Sequence, residues 1–374
     1  MEPLFQVAPA SAQPSATAPQ QAFSGTQLLA LYGVPAIRPA RGKRRASVAV
    51  VVAHHCPSLL ADLRTYWQSA ANFGAGARCP EVTVHTMPGA GSDRRWAQEA
   101  CLDVQMVCTV NAEAAVLVVE ARSAGVTDLL AAVDHAAANA DVVSMSWGAA
   151  DAAAFAPHAS RFSREGVCFC AASGDTNFAS WPSVVDTCVS VGGTTLLWAP
   201  CAQGRFRAIM APHSRSEFTW PSAGCGYATS VARPAYQDLV NQNAARSVPD
   251  LSLVANPRSG VYVVFEGAWY VLGGTSVAAP VFAGMLSLAN QMRLNAGKRP
   301  LSTRAGALHS VLYGIHADPR KYAADFRDVT LGTAQGSAGP ADLADFSEGP
   351  GFQVPTGLGS PNCARLCADL LAAP

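Results

Sequence analysis

Five stretches of this chain are apolar and β-branched without alternating: "SVAVVVA" (47–53), "AAVLVVEA" (114–121), "DVVSMSWG" (141–148), "GVCFCAAS" (166–173) and "DTCVSVGG" (186–193). A strand that lacks polar alternation is buried on both faces, the mark of a parallel sheet covered by helices. Between these runs, "PSLLADLRTYWQSA" (57–70) and "VTDLLAAVDHAAANA" (126–140) have helical period. The pattern predicts an α/β fold, a doubly wound and mainly parallel sheet with helices on both faces. Ligands of such sheets bind beyond the carboxyl ends of the strands. A chain of 374 residues could hold one large domain or two, but no break in composition divides residues 24–374, so one domain is expected there.

Charge narrows the partners. Lys plus Arg and Asp plus Glu are equal at 26 each, which gives no electrostatic case for nucleic acid or a membrane surface. Apolar runs such as "AAVLVV" (114–119) fall far short of the roughly 20 residues that cross a bilayer. Residues 1–23, rich in Pro, Ala, Ser and Gln, are expected to be a disordered lead-in. They lack the basic and apolar regions of a secretory signal, so a cytoplasmic location is expected over non-classical export, and a monomer over an assembly. "SGTQLLALYGVP" (24–35) predicts a short amphipathic helix, and "RPARGKRR" (38–45) a solvated loop. Eleven cysteines without repeated C-x-x-C pairs indicate reduced thiols rather than a disulfide framework or a zinc site. Cys168 with Cys170, and Cys363 with Cys367, are spaced for contact within each pair.

"GGTSVAAPVFAGMLSLANQMRLNAGK" (273–298) opens with turn residues and continues as a nearly all-apolar helix, the kind a core buries. Ser276 at its start could be a plain helix cap or a nucleophile at the positive end of a helix dipole. A nucleophile needs a base. None of the eight histidines lies in an H-G-T-H context, and His54 and His55 read as strand-end residues. In "DRRWAQEACLDVQMVC" (93–108), Glu99 and Asp103 share one helix face. Two acids so spaced often mark a solvated face, but apolar flanks from Trp96 to Met106 point to burial. Two close buried carboxylates cannot both ionise easily, so one holds a proton to higher pH. Asp175 in "AASGD" (171–175) could form a turn, or stay protonated in an apolar site and donate to an oxyanion.

The chain resembles the sedolisin, or serine-carboxyl peptidase, family. The resemblance rests on "WAQEACLDVQ" (96–105), "VVSMSWG" (142–148), "AASGD" (171–175), "VSVGGTTL" (189–196), "ARPAYQ" (232–237), "RSVPDLSLVANP" (246–257), "GGTSVAAPVFAG" (273–284) and "TGLGSP" (356–361), in the family's order and spanning nearly all of residues 24–374. It implies a subtilisin-like fold and cleavage of peptide or protein substrates at acid pH. By position, it implies that Ser276 is the nucleophile, Glu99 the base, Asp103 its orienting partner and Asp175 the oxyanion donor. It also implies that Ser144, Met145, Ser146, Trp147 and Gly148, with Ala172, Ser173 and Gly174, line the substrate cleft.

The family's structural calcium loop is matched in outline. Asp328 and Val329 in "RDVT" (327–330), with Gly349 and Gly351 in "EGPGFQ" (348–353), would supply oxygens, but Gln353 stands where the family has a second Asp. Calcium takes six to eight oxygens, usually with several carboxylates, so weak binding or an ion-free loop is expected. No long pro-segment is seen, Asn256 replaces a usual Asp, and "AGCG" (223–226) replaces a Gly-rich run. Two readings stand: an active serine-carboxyl peptidase, favoured because all four catalytic positions keep their chemistry, and a catalytically silent protein that binds through a peptidase fold.

Overall fold

Six consecutive residues, Val48 to Ala53, are buried, which a strand achieves only between two covered faces. This strand is central in an eight-stranded sheet of the computed structural model, which describes residues 1–8, 22–201, 205–208, 217–337 and 343–374. The spatial order is Glu217–Thr219, Cys188–Leu196, Cys168–Ala172, Val142–Met145, Ser47–Ala53, Ala115–Ala121, Val82–Thr86, and Leu251–Val254 also pairs with Cys188–Leu196. Only the Glu217–Thr219 pairing is antiparallel. The expected doubly wound α/β sheet is therefore present.

Two helices carry the chemistry-bearing side chains. Arg94–Val110 is capped by Asp93, whose side chain accepts from the backbone N–H of Arg95 and Trp96, and it is buried from Trp96 to Val110. Thr275–Asn295 is buried from Thr275 to Gln291. Gly284 lets the two approach closely, because a Cβ there would lie 2.6 Å from the Cβ of Val110.

The structure departs from the sequence reading in two places near the carboxyl ends of the strands. The run at 141–148 is not one strand. Val142–Met145 stays in the sheet, whereas Trp147–Ala150 turns off to pair antiparallel with Ser180–Trp181 and Glu2–Pro3. Burial of the Trp147 ring, whose Nε1 donates to Val51 O at 2.9 Å, fixes that turn. The second departure corrects the disordered lead-in. Glu2–Pro3 and Gln6–Ala8 are strands, Leu4, Phe5, Ala22 and Phe23 are buried, and residues 9–21 lie outside the described residues. Backbone pairing and apolar contacts at these few positions outweigh the polar composition of the stretch as a whole.

The cysteines are free wherever their side chains are described. Cys363 and Cys367 do meet, with Sγ atoms 3.9 Å apart. Among the described residues no helix is long and apolar enough to cross a membrane.

A fully buried ion pair ties the far side of the sheet together. Arg246 Nη2 lies 2.7 Å from Asp250 Oδ2, with both side chains fully buried. Asp250 also accepts from Tyr313 Oη at 2.8 Å and from Ser190 N at 2.8 Å. Burial alone would raise its pKa, but Arg246 and His309 hold it well below the usual carboxylate range. Such a depressed group contributes stability above its unfolded-state pKa and loses it only as pH falls through the folded one, so this network survives mild acid. Asp250→Ala leaves Arg246 buried and unpaired, and is expected to cost about 3–5 kcal/mol in urea titrations.

Candidate active site

Helix Thr275–Asn295 begins abruptly after Gly274, whose φ of 114° suits glycine alone. The first amides of a helix have no partner within it, and here they find specific ones. Thr275 N donates to Asp175 Oδ1 at 2.8 Å, and Ser276 N donates to the carbonyl oxygen of Leu4 at 3.0 Å. A Cβ on Gly274 would sit 2.6 Å from both Asp175 Oδ2 and Leu4 O, so these two oxygens border one small space. Leu4 O is thus hydrogen-bonded to the Ser276 amide and faces the same space as the Asp175 carboxyl.

Asp175 lies beyond the end of strand Cys168–Ala172. Its Oδ1 accepts from both the backbone and the hydroxyl of Thr275, each at 2.8 Å, while the buried Oδ2 has no hydrogen-bond partner. Burial pushes its pKa up to about 7, against the lowering effect of Thr275 and Arg95. Protonated, Asp175 would carry a donor beside Leu4 O.

Glu99 and Asp103, one turn apart on the neighbouring helix, are fully buried. Ser146 Oγ donates to Asp103 Oδ1 at 2.6 Å. Burial raises both carboxyls, Glu99 the further because the Asp103 charge adds to it, while hydrogen bonds from Ser146 and Glu99 favour the ionised form of Asp103. The pair holds its last proton far above the usual carboxylate range. Glu99 lies near enough to Ser276 for the hydroxyl to favour its ionised form, yet both Glu99 oxygens lack a well-aligned partner, and Ser276 Oγ donates to Ser146 O at 3.2 Å. Rotation of the Ser276 side chain would carry its proton from Ser146 O toward Glu99. The four residues singled out in the sequence therefore converge on one buried site.

The cleft-lining expectation divides. Ser146 O accepts the Leu4 N–H at 3.1 Å, and Trp147 and Gly148 lie in register with Pro3 and Glu2. Ser144 and Met145 are instead buried within the sheet. Ser173 and Gly174 spend their backbone groups internally: Ser173 N on Val191 O, Ser173 O on Ser180 N, Gly174 N on Thr275 Oγ1 and Gly174 O on Gly224 N. With Ala172 in the sheet ladder opposite Val191, residues 172–174 shape the floor of the site but do not pair with the strand in the cleft. Gly224 of the "AGCG" stretch has no room for a side chain, since a Cβ would come within 2.3 Å of Ser173 O.

His54 and His55 follow directly on strand Ser47–Ala53, as expected for strand-end residues. His55 Nδ1 pairs with the buried Glu120 at 2.7 Å, at the end of the neighbouring strand. Asn256 has a local use, its side chain capping a turn at Arg258 N and donating to Thr195 Oγ1.

The residues of the expected calcium loop do not fit a cation. Asp328 Oδ2 accepts from Gly351 N at 2.8 Å and Oδ1 from Tyr322 Oη at 3.3 Å, so donors face its carboxylate. Gln353 turns its amide onto Pro350 O. Glu348, beside Gly349, is engaged by Thr219 and Thr356. Val329 is buried, and no group of three or more His, Cys, Asp or Glu suited to a metal occurs among the described residues.

Residues missed in the sequence are Ser146, as partner of Asp103, and Arg95 with the N-terminal strands. The apolar residues of "LFQVA" (4–8), within a stretch otherwise rich in Pro, Ala, Ser and Gln, carry no pattern that names their partners.

A mainly parallel α/β sheet with a serine at the start of a buried helix and three buried carboxyl groups around it defines a subtilisin-like fold. The subtilase family model matches residues 89–338, and the chain belongs to that family, on its sedolisin side. Sedolisin from Pseudomonas sp. (strain 101) is 27% identical over 196 residues, 52% of this chain and 31% of that protein. Tripeptidyl-peptidase sed4 from Aspergillus fumigatus is 29% identical over 240 residues, 54% of this chain and 37% of that protein. The match thus spans about a third of these relatives' length. Pseudomonas sedolisin, a serine-carboxyl proteinase solved with two molecules of pseudo-iodotyrostatin, shares the fold with a TM-score of 0.74 at 22% identity, covering 93% of this chain and 97% of that one.

Gly274→Ala combines a positive φ with a clash against Asp175 and Leu4. It is expected to destabilise the protein by about 1–3 kcal/mol, read as a lowered midpoint in urea.

Proposed function

We propose that this protein is a serine-carboxyl peptidase that hydrolyses peptide bonds of peptide or protein substrates at acid pH. The observation that carries the reading is the setting of one carbonyl oxygen, held by the Ser276 amide and bordered by Asp175, with Glu99 beside the serine. Membership in the subtilase family supports the reaction class.

The chemistry follows from the positions. Ser276 Oγ attacks the carbonyl carbon as its proton passes to Glu99, and the oxyanion is held by the Ser276 N–H and a protonated Asp175. Glu99 returns the proton to the departing amine, leaving an acyl ester on Ser276. Water, deprotonated by Glu99, then hydrolyses the ester. Asp103, anchored by Ser146, shares a proton with Glu99 and keeps a base available while the pair carries one negative charge. A histidine is not needed.

The pH limits follow from the same groups. Activity requires Asp175 protonated, so the rate falls as pH rises through about 7. It also requires one ionised member in the Glu99–Asp103 pair, so the rate falls again in acid as the pair takes its second proton. Cleavage of a peptide pool across pH is expected to give a bell whose alkaline limb lies near neutrality. Ser276→Ala should abolish it, and Asp175→Ala should lower kcat by about 10²–10³-fold. Asp175→Asn, a donor at every pH, should push the alkaline limb upward. A folded wild-type protein that cleaves nothing at any pH would leave only the binding-protein reading.

A further inference from the structure

The first eight residues run through the candidate site. Glu2 and Pro3 pair antiparallel with Gly148 and Trp147, Leu4 N–H bonds Ser146 O at 3.1 Å, and Leu4 O bonds Ser276 N at 3.0 Å. Beyond that point Gln6, Val7 and Ala8 pair antiparallel with Gly273, Leu272 and Val271, on the strand that leads into the serine helix. The segment is therefore an extended strand held on both sides of a single peptide bond, Leu4–Phe5. Its two apolar side chains are buried, and a Cβ on Gly148 would touch Leu4 Cδ1 at 3.4 Å. Ser276 is fully buried in this arrangement. Leu4 N and Ser276 Oγ share one acceptor, Ser146 O, which sets the hydroxyl beside the Leu4 carbonyl group.

Arg95, on the first turn of the carboxylate helix, grips the same strand at three points. Its Nη1 lies 3.3 Å from Glu2 Oε2, its Nη2 donates to Pro3 O at 3.4 Å, and its guanidinium carbon stands 5.7 Å from the centre of the Phe5 ring. An extended strand bound by backbone pairing gains affinity from its amides and selectivity from such side-chain contacts.

We propose that residues 1–8 are this chain's own substrate, laid across the cleft so that Ser276 cuts the Leu4–Phe5 peptide bond, and that Arg95 selects the strand through Glu2. The inference rests on the peptidase reading above. In the step, Ser276 Oγ bonds to the Leu4 carbonyl carbon and its proton passes to Glu99. The Leu4–Phe5 C–N bond then breaks and the proton goes to the Phe5 amine. One water hydrolyses the Leu4 ester, leaving a new carboxylate on Leu4 and a new amino terminus on Phe5. Until that cut, the segment excludes other substrates from the cleft. Afterwards, the site prefers extended peptides with leucine before the cut bond, an aromatic residue after it and an acid two residues before the leucine.

The test follows the amino terminus of the full chain by intact mass and N-terminal sequencing at acid pH, with cleavage of an added peptide pool measured in parallel. The expected result is a Phe5 terminus that forms at a rate unchanged by dilution, is absent in Ser276→Ala with its circular dichroism intact, and is slowed in Leu4→Asp. With the peptide MEPLFQVA added in trans, replacing its Glu by Gln should raise KM by roughly two- to five-fold, since the ion pair is exposed. Arg95→Ala should remove that difference, whereas Arg95→Lys should keep part of it. A protein that cleaves the pool while Leu4–Phe5 stays intact overturns this proposal and leaves the peptidase reading standing. One inert toward both overturns both, and a Glu preference that survives Arg95→Ala overturns the role of Arg95.

Discussion

The site depends on how one buried helix begins. A helix must leave its first amides without internal partners, and burial forbids leaving them bare. Here Gly274 turns the chain so that Thr275 N takes the Asp175 carboxylate oxygen and Ser276 N takes a carbonyl from an incoming strand. The same start aims the Ser276 side chain at the neighbouring helix. Because that helix approaches at Gly284, its carboxylates reach the serine. Fold and site meet at this point: the close packing that buries the core also sets Ser276 beside Glu99.

Burial then decides which chemistry can run. Asp175, Asp103 and Glu99 are buried together, and all have raised pKa values, with burial the largest cause in each case. Three such groups cannot all be ionised in a low-dielectric site. Some protons must stay, and a carboxyl that keeps its proton is a hydrogen-bond donor. In the proposed mechanism these acids serve as both donor and base, the work a histidine and an amide do elsewhere. Acid conditions spare the buried Arg246–Asp250 pair, since Asp250 remains ionised well below the usual range.

Much of this was legible in the sequence, for reasons that are local. Non-alternating runs such as Val48–Ala53 announce a two-faced sheet because burial is written into every residue. Glu99 and Asp103 share a helix face by spacing alone, and apolar flanks revealed that the face is inward. What escaped was long-range pairing. Nothing near Glu2 or Val7 says that they will lie against Gly148 or Leu272, because an edge can accept many strands. The break at Ser146 was invisible for the same reason: its neighbours read as one strand, and only the packing of Trp147 divides them. The cleft role of residues 172–174 and the calcium loop were inferred by resemblance. In this chain, Gly174 donates its N–H to the Thr275 hydroxyl and its carbonyl accepts from Gly224 N, while Asp328 accepts from Gly351 N.

The central claim is that these carboxyl groups keep protons where ordinary ones do not. The most direct measurement is a pH titration of carboxyl carbons by NMR in Ser276→Ala protein labelled with ¹³C at Asp and Glu side chains, with Asp175→Asn, Glu99→Gln and Asp103→Asn giving the assignments. The account predicts that the Asp175 resonance titrates near about 7, and that the Glu99–Asp103 pair retains a proton after exposed carboxyls, with pKa values of about 4, have ionised. Titration of all three in that ordinary range, in folded protein, would contradict it.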